Sequence, residues 1–250
     1  LKVPREQVRV LTGNVGGSFG MKASIYPEYV CLLHAARLLG RPVKWTDRRS
    51  ESFLSDHHGR DHSVTAELAL DAKGRFLAVR VTGLGNLGAY LTHVGPMMST
   101  LNIVKNMASL YRTPLIAMRA RCVFTNTTPV AAYRGAGRPE GNYYMERLID
   151  AAARETGIDR LTLRRRNFIP PSAMPYKAAS GSVYDTGDFR SLFDETLEKA
   201  DVKGFRARKA ESRRRGKLRG LGIGCFLEVT APPTNEMGGI RFEKDGTVTI

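Results

Sequence analysis

Residues 63–70 alternate between apolar and polar positions. Val64, Ala66, Leu68 and Leu70 share one side, opposite Thr65, Glu67 and Ala69; this is the period of a strand with one half-buried face. Asp71, Ala72, Lys73 and Gly74 read as a turn, and 76–81 returns as the second arm of a hairpin. Shorter β-type runs are expected at 8–11, 43–46, 119–124 and 220–227, and a last hairpin turns at 244–246. Gly83, Gly85, Gly88 and Gly95 predict an irregular stretch after the first hairpin.

Helical spacing takes over elsewhere. A helix over 27–39 carries Tyr29, Val30, Leu33, Ala36 and Leu38 on its apolar side, Gly40 stops it and Pro42 forbids its continuation. A helix from Pro139 to about residue 155 places Tyr144, Leu148, Ala151 and Ala152 inward and ends at Gly157. Asp159 is the cap of a further helix through 167. Pro170, Pro171 and Pro175 enforce a loop, and 188–200 forms one more helix. Hairpins mixed with helices in no strict alternation predict an α+β fold, with a mixed sheet and packed helices.

The chain of 250 residues is long enough to bury a sizeable core. No apolar run approaches the ~20 residues that span a bilayer. It begins at Leu1 without a signal-peptide pattern and stops at Ile250 within an expected strand, so an internal fragment of a longer chain is expected. The net charge is +15, and 203–219 alone holds nine Lys/Arg against one Glu. Without interleaved aromatics or a nucleic-acid motif, that stretch reads as a solvated helix or linker rather than a nucleic-acid surface. Cys31, Cys122 and Cys225 are too far apart for a metal-ligand motif and are expected as buried thiols. Trp45 and the tyrosines are read as core.

Two glycine-rich loops carry most of the chemistry, at 13–20 and 132–140. Glycine lets backbone approach a ligand closely, and successive N–H groups form a nest for anionic oxygens. Two such loops, both expected between a strand and a helix, suggest one large anionic ligand gripped from two sides. Generic nucleotide motifs fail. The first loop lacks the Gly-Lys-Ser/Thr order of a P-loop, and position 140 is Glu where a dinucleotide fingerprint needs its third Gly. His57 and His58, flanked by Asp56 and Asp61, are expected to make hydrogen bonds, because neighbouring strand residues point to opposite faces.

Gly16-Gly17-Ser18-Phe19-Gly20-Met21-Lys22 followed by Pro27-Glu28-Tyr29 resembles the GGGFGxK loop of the large subunits of the xanthine dehydrogenase, aldehyde oxidase and carbon monoxide dehydrogenase family. Ala132-Tyr133-Arg134-Gly135-Ala136-Gly137-Arg138-Pro139-Glu140 resembles their AYRGxGxPE loop, in its AYRGAGR version, and Leu163-Arg164-Arg165-Arg166-Asn167 resembles the LRRxN stretch that follows. The order holds along essentially the whole chain. The resemblance implies the first half of a molybdenum-cofactor-binding region. Residues 1–202 would form the first molybdopterin-binding domain, 203–219 a basic connector and 220–250 the truncated start of a second domain. It implies molybdopterin with molybdenum, in the cytosine dinucleotide form of bacterial members. Iron–sulfur and flavin (FAD) subunits would be partners in the cytoplasm, and neither nucleic acid nor a transmembrane segment is implied. The reaction implied is hydroxylation of an aldehyde or aromatic heterocycle with oxygen from water.

By the same resemblance Gly17, Ser18, Phe19 and Gly20 line the cofactor, Arg134 approaches the metal centre through its backbone amide, and Gly135 lies beside it. Ala23 and Ala136 face the substrate pocket. Purine-oxidising members carry a carboxylate and an aromatic at those two positions, and carbon monoxide dehydrogenases a copper-binding cysteine at the position of Gly135, so both substrates lose ground. The family's catalytic glutamate falls beyond Ile250, so no catalytic residue is assigned in this chain. Glu140 is expected in the first turn of its helix, and Glu228, ahead of Pro232-Pro233, as a solvated loop carboxylate, with a place near the pocket the lesser alternative. The competing readings are a non-catalytic binding or scaffold fragment of the same fold, and an anion or nucleic-acid binder driven by charge.

Overall fold

The computed structural model describes residues 2–228 and 238–249; Pro232, Pro233 and Ile250 lie outside them. Its centre is a three-stranded sheet in the order β1-β2-β3. Strand β1 (His62–Leu70) runs antiparallel to β2 (Phe76–Asn86), and β2 runs parallel to β3 (Leu115–Val123). The expected hairpin is present, and the alternation in β1 is that of a sheet with one covered face. A parallel neighbour requires a crossover, and two short helices, α3 (Gly95–Met98) and α4 (Leu101–Met107), lie between β2 and β3.

Strand β2 runs on through Gly83 and Gly85, where the sequence predicted irregular chain. A Cβ at Gly83 would collide with the Ser63 carbonyl and Val64 of β1, and one at Gly85 with Ser99. These glycines are therefore strand residues that let neighbours close in. The runs at 8–11, 43–46 and 220–227 join no sheet. The last of them is instead held by side chains. Asn106 Nδ2 donates to the Leu227 carbonyl at 2.7 Å, the Leu227 amide donates to Ser109 Oγ at 3.1 Å, and Ile223 and Cys225 pack on the core.

The long helix α5 (Arg138–Thr156) crosses this sheet and α4. It buries Tyr144, Met145, Ile149 and Ala152, with Leu148 partly covered. Gly141 lets α4 approach, since a Cβ there would lie 2.8 Å from the Ile103 carbonyl. Helix α6 (Arg160–Asn167) starts as expected, with the Asp159 carboxylate accepting from the amides of Leu161 and Thr162. Helix α7 (Phe189–Lys199) is capped by Asp188, and α8 (Phe205–Arg214) carries the basic stretch on an exposed helix. A small terminal hairpin pairs Arg241–Phe242 with Val248–Thr249.

Helix α1 (Pro27–Leu39), which the short helix α2 (Arg49–Ser55) follows, has its expected bounds but buries none of its residues. Tyr29, Val30, Leu33 and Leu38 are exposed, as is Trp45. The thiols are free, but burial departs from expectation: Cys31 lies exposed on α1, and Cys122 and Cys225 are half-buried.

One charge is fully enclosed. Arg164 of α6 has no exposed surface and bonds Glu146 at 2.8 and 3.0 Å and Asp150 at 3.0 Å, both on α5. Removing one member of such a group strands the others in a poor solvent. Arg164→Ala should cost about 3–5 kcal/mol in urea unfolding of the full-length chain. Arg165→Ala, which breaks a part-exposed pair with Asp194, should cost under ~1 kcal/mol. Equal losses would show that the Arg164 cluster is not what holds α5 to α6.

Candidate cofactor and substrate site

The two glycine loops meet. The Arg134 amide donates to the Phe19 carbonyl at 2.8 Å. The Arg134 amide thus joins the loops to each other. The Arg134 guanidinium lies 5.6 Å from the centre of the exposed Phe19 ring. Neither loop follows a strand directly. The second is led in by an extended segment that pairs Val130 with His58.

Backbone conformation concentrates strain here. Phe19 and Gly20 have φ of 53° and 95°, and Arg134, Gly135, Ala136 and Gly137 have 23°, 88°, 48° and 92°. Non-glycine residues seldom adopt such values, and each costs on the order of 1–3 kcal/mol unless the surroundings enforce it. The surroundings do so here. Asn102 Nδ2 donates to the Ala136 carbonyl at 2.9 Å, and Arg60 donates to the Arg134 carbonyl while its guanidinium sits 5.2 Å from the centre of the Tyr133 ring. Gly137 lies so close to α3 that a Cβ would fall 2.5 Å from the Met98 carbonyl.

The outcome is a set of unused donors. Among the described residues the N–H groups of Phe19, Gly20, Gly135 and Gly137 have no acceptor. Left-handed turns leave such amides free to gather around negatively charged oxygens. In the first loop, Gly17 lies under the Phe19 ring, 3.1 Å from the place of a Cβ, and the Ser18 carbonyl accepts from the Met21 amide at 3.1 Å. At the second loop, Arg138 opens α5 and pairs with Glu228 at 3.3 Å, bringing that carboxylate beside Gly135. Glu140 stands in the first turn of α5, as expected, with its Oε2 buried and unpaired among the described residues. Close by, His62 bonds the Tyr144 hydroxyl and Ser99 Oγ, both at 2.9 Å. Burial holds the His62 pKa down, against the opposing pull of Glu140 and Asp61.

Ala23 lies one 3-10 turn beyond Gly20 and borders a cavity of about 890 Å3, which Ala136 does not line. His57 is buried and lines this cavity, while His58 is not among its lining residues and meets the Thr128 carbonyl at 3.1 Å. Sequence reasoning missed the part of Arg60, and nothing local marks it: it reaches the second loop across 74 positions of chain.

A family model for the molybdopterin cofactor-binding domain matches residues 1–168. The chain belongs to that family. Over 257 residues it is 36% identical to the 6-hydroxypseudooxynicotine dehydrogenase complex subunit gamma of Paenarthrobacter nicotinovorans, covering 100% of this chain and 32% of the relative. It is 32% identical over 240 residues to the carbon monoxide dehydrogenase large chain of Hydrogenophaga pseudoflava, covering 94% of this chain and 30% of the relative. Among solved structures, quinoline 2-oxidoreductase from Pseudomonas putida 86 superimposes with a TM-score of 0.76 at 34% identity, over 81% of this chain and 26% of that one. The chain spans about a third of the length of the curated relatives it matches. Among the described residues no helix is long and apolar enough to cross a membrane.

The loop geometry makes a graded prediction. Gly137→Ala forces a side chain into a left-handed position against the Met98 carbonyl and should cost about 1–3 kcal/mol in thermal unfolding. Gly16→Ala, in open space, should stay within about 0.5 kcal/mol of the parent. A neutral Gly137→Ala would mean that the second loop is free to relax.

Proposed function

We propose that this chain is the first part of the cofactor-binding region of a molybdenum hydroxylase large subunit, and that its two joined glycine loops hold the molybdopterin. The observation that carries the reading is the cradle itself: two strained turns locked by the Arg134–Phe19 bond, with four amides that lack acceptors among the described residues. That donor set fits an anionic, oxygen-rich group and is too crowded at Gly137 for side chains. Phe19, Gly20, Gly135 and the neighbouring Gly17 and Ser18 would line it, and the cytosine dinucleotide form is the one we infer. When bound, molybdenum held by the pterin dithiolene supplies the redox chemistry, and the protein contributes position, charge and exclusion of water.

The chain's own residues set what approaches. Preorganised N–H donors stabilise negative charge that grows on ligand oxygens. Arg134, bonded through its amide to the first loop, has a positioning role and brings a cation to the rim. Ala23 and Ala136 leave room where purine-oxidising members place a carboxylate and an aromatic, and Gly135 supplies no sulfur for copper. These residues support an organic substrate, an aldehyde or an aromatic heterocycle, over purine or carbon monoxide. The similarity to a quinoline 2-oxidoreductase and to a subunit of a 6-hydroxypseudooxynicotine dehydrogenase complex points the same way. In this reading electrons leave through iron–sulfur and FAD subunits in the cytoplasm, and the general base lies beyond Ile250. The division into a first domain at 1–202, a connector at 203–219 and the start of a second domain at 220–250 is part of the proposal.

The test is molybdenum and pterin content of the full-length subunit, purified with its partner subunits after growth on molybdate. Roughly one molybdenum per chain is expected, as for a single-site cofactor. Gly20→Val should remove most of it, because φ at Gly20 is +95° and a branched side chain would stand between the loops, where even a Cβ lies 3.5 Å from the Ala132 carbonyl. A folded complex without molybdenum would make the chain a scaffold. Normal occupancy in Gly20→Val would sink the placement of the first loop.

A further inference from the structure

Two residues that line the cavity bordered by Ala23 each hold a buried polar atom with no partner among the described residues. His57 is only 7% exposed, and its Nδ1 has no partner among the described residues. Its ring is nevertheless fixed. It stacks on Tyr26 with centroids 4.3 Å apart, and its backbone N–H donates to the Tyr26 hydroxyl at 3.2 Å. Lys22 sits 4.2 Å from the Tyr26 ring centre and pairs with Asp56, so this pile of side chains ties the end of the first glycine loop to the turn that carries His57. Glu28, in the first turn of α1, lines the same cavity, and its Oε2 is also buried without a partner.

Buried polar atoms are almost always paired, because leaving them unpaired forfeits hydration for nothing. Here two residues from separate elements line one cavity, and each holds such an atom without a partner among the described residues. The rest of the wall is suited to a flat apolar body: Ile25, Leu54, Tyr90 and Leu91 line it. The volume of about 890 Å3 is that of a site for a small organic molecule. Burial pulls the His57 pKa down, with Asp56 and Glu28 opposing and Lys22 assisting, which favours a neutral imidazole with one nitrogen free to accept.

We propose that this cavity binds a nitrogenous organic compound through a protonated amine, with the Glu28 carboxylate as its counter-charge and His57 Nδ1 as a second acceptor. Anionic ligands are disfavoured by the same carboxylate. The proposal rests on the molybdenum hydroxylase reading only in treating the cavity as the substrate pocket; the binding chemistry stands on Glu28 and His57.

Calorimetry on the full-length subunit in its native complex tests it, with 3-(aminomethyl)pyridine as the cationic probe and 3-(hydroxymethyl)pyridine as its neutral counterpart. Near neutral pH the amine should bind roughly tenfold tighter, the worth of one charge-assisted hydrogen bond. Glu28→Gln should bring the ratio close to one. His57→Phe, which keeps the stack on Tyr26, should weaken the amine several-fold. Equal affinity for both probes in the parent protein overturns the proposal, as does a ratio unchanged by Glu28→Gln. Binding of neither probe also overturns it, because the cavity is then filled by other parts of the full-length protein. Molybdenum is measured on the same samples. Amine selectivity without molybdenum would sink the hydroxylase reading and leave this site standing; molybdenum without selectivity would sink this site alone.

Discussion

A guanidinium with no exposed surface lies between two carboxylates of a neighbouring helix, and the placement of that helix depends on it. Arg164 bonds both Glu146 and Asp150, and the Tyr111 hydroxyl donates to the other oxygen of Glu146 at 2.5 Å. Burial alone would push the guanidinium towards neutrality, but Glu146, seconded by Asp150, keeps it charged. The same enclosure raises the Tyr111 pKa, first through burial and then through Glu146. It pushes the Cys225 thiol up to about 11 for the same two reasons, so that thiol packs rather than reacts. Helices α5 and α6, the turn after α4 and the segment around Cys225 thereby share one polar knot inside an apolar core.

From that knot the position of the site follows. Helix α5 is held at Glu146 and Asp150, and its N-terminus carries the second glycine loop. Gly141 and Gly137 bring α5 and its cap against α4 and α3 at backbone distance. Asn102 of α4 then holds the Ala136 carbonyl, and the second loop holds the first through Arg134 and Phe19. Strain at four successive left-handed residues is sustained because rigid elements clamp both flanks. The loops supply the free amides, and the buried ion group, some distance away, supplies the rigidity that keeps them free.

The N-terminal quarter behaves differently. Helix α1 forms for local reasons, with Pro27 in its first turn and Gly40 in the left-handed conformation at its end. Its apolar side meets no covering element among the described residues, and Val10, Leu11 and Val15 before it are also exposed. Periodicity states which side is apolar; it does not state what packs there. The expectations that Trp45 is core and that Cys31 is buried failed on this point.

What the residue pattern determined alone was local and short-ranged. The hairpin of β1 and β2, the bounds of α1 and α5, the Asp159 and Asp188 caps and the two glycine loops were all legible, because alternation, capping and glycine each act within a few residues. The family was legible too, since it resides in contiguous motifs. Tertiary structure decided the rest. Gly83 and Gly85 read as breakers but lie within a strand, because only neighbours 14 to 20 positions away in sequence explain the missing side chains. The run at 220–227 reads as a strand but is held by Asn106 and Ser109 instead of a ladder. Arg164 reads as one arginine of three, and only packing selects it for burial. The Arg134 amide, the reach of Arg60 and the meeting of Glu28 with His57 in one cavity all join residues remote in sequence. No local pattern encodes such pairs, because a side chain's partner is set by where the packed elements carry it.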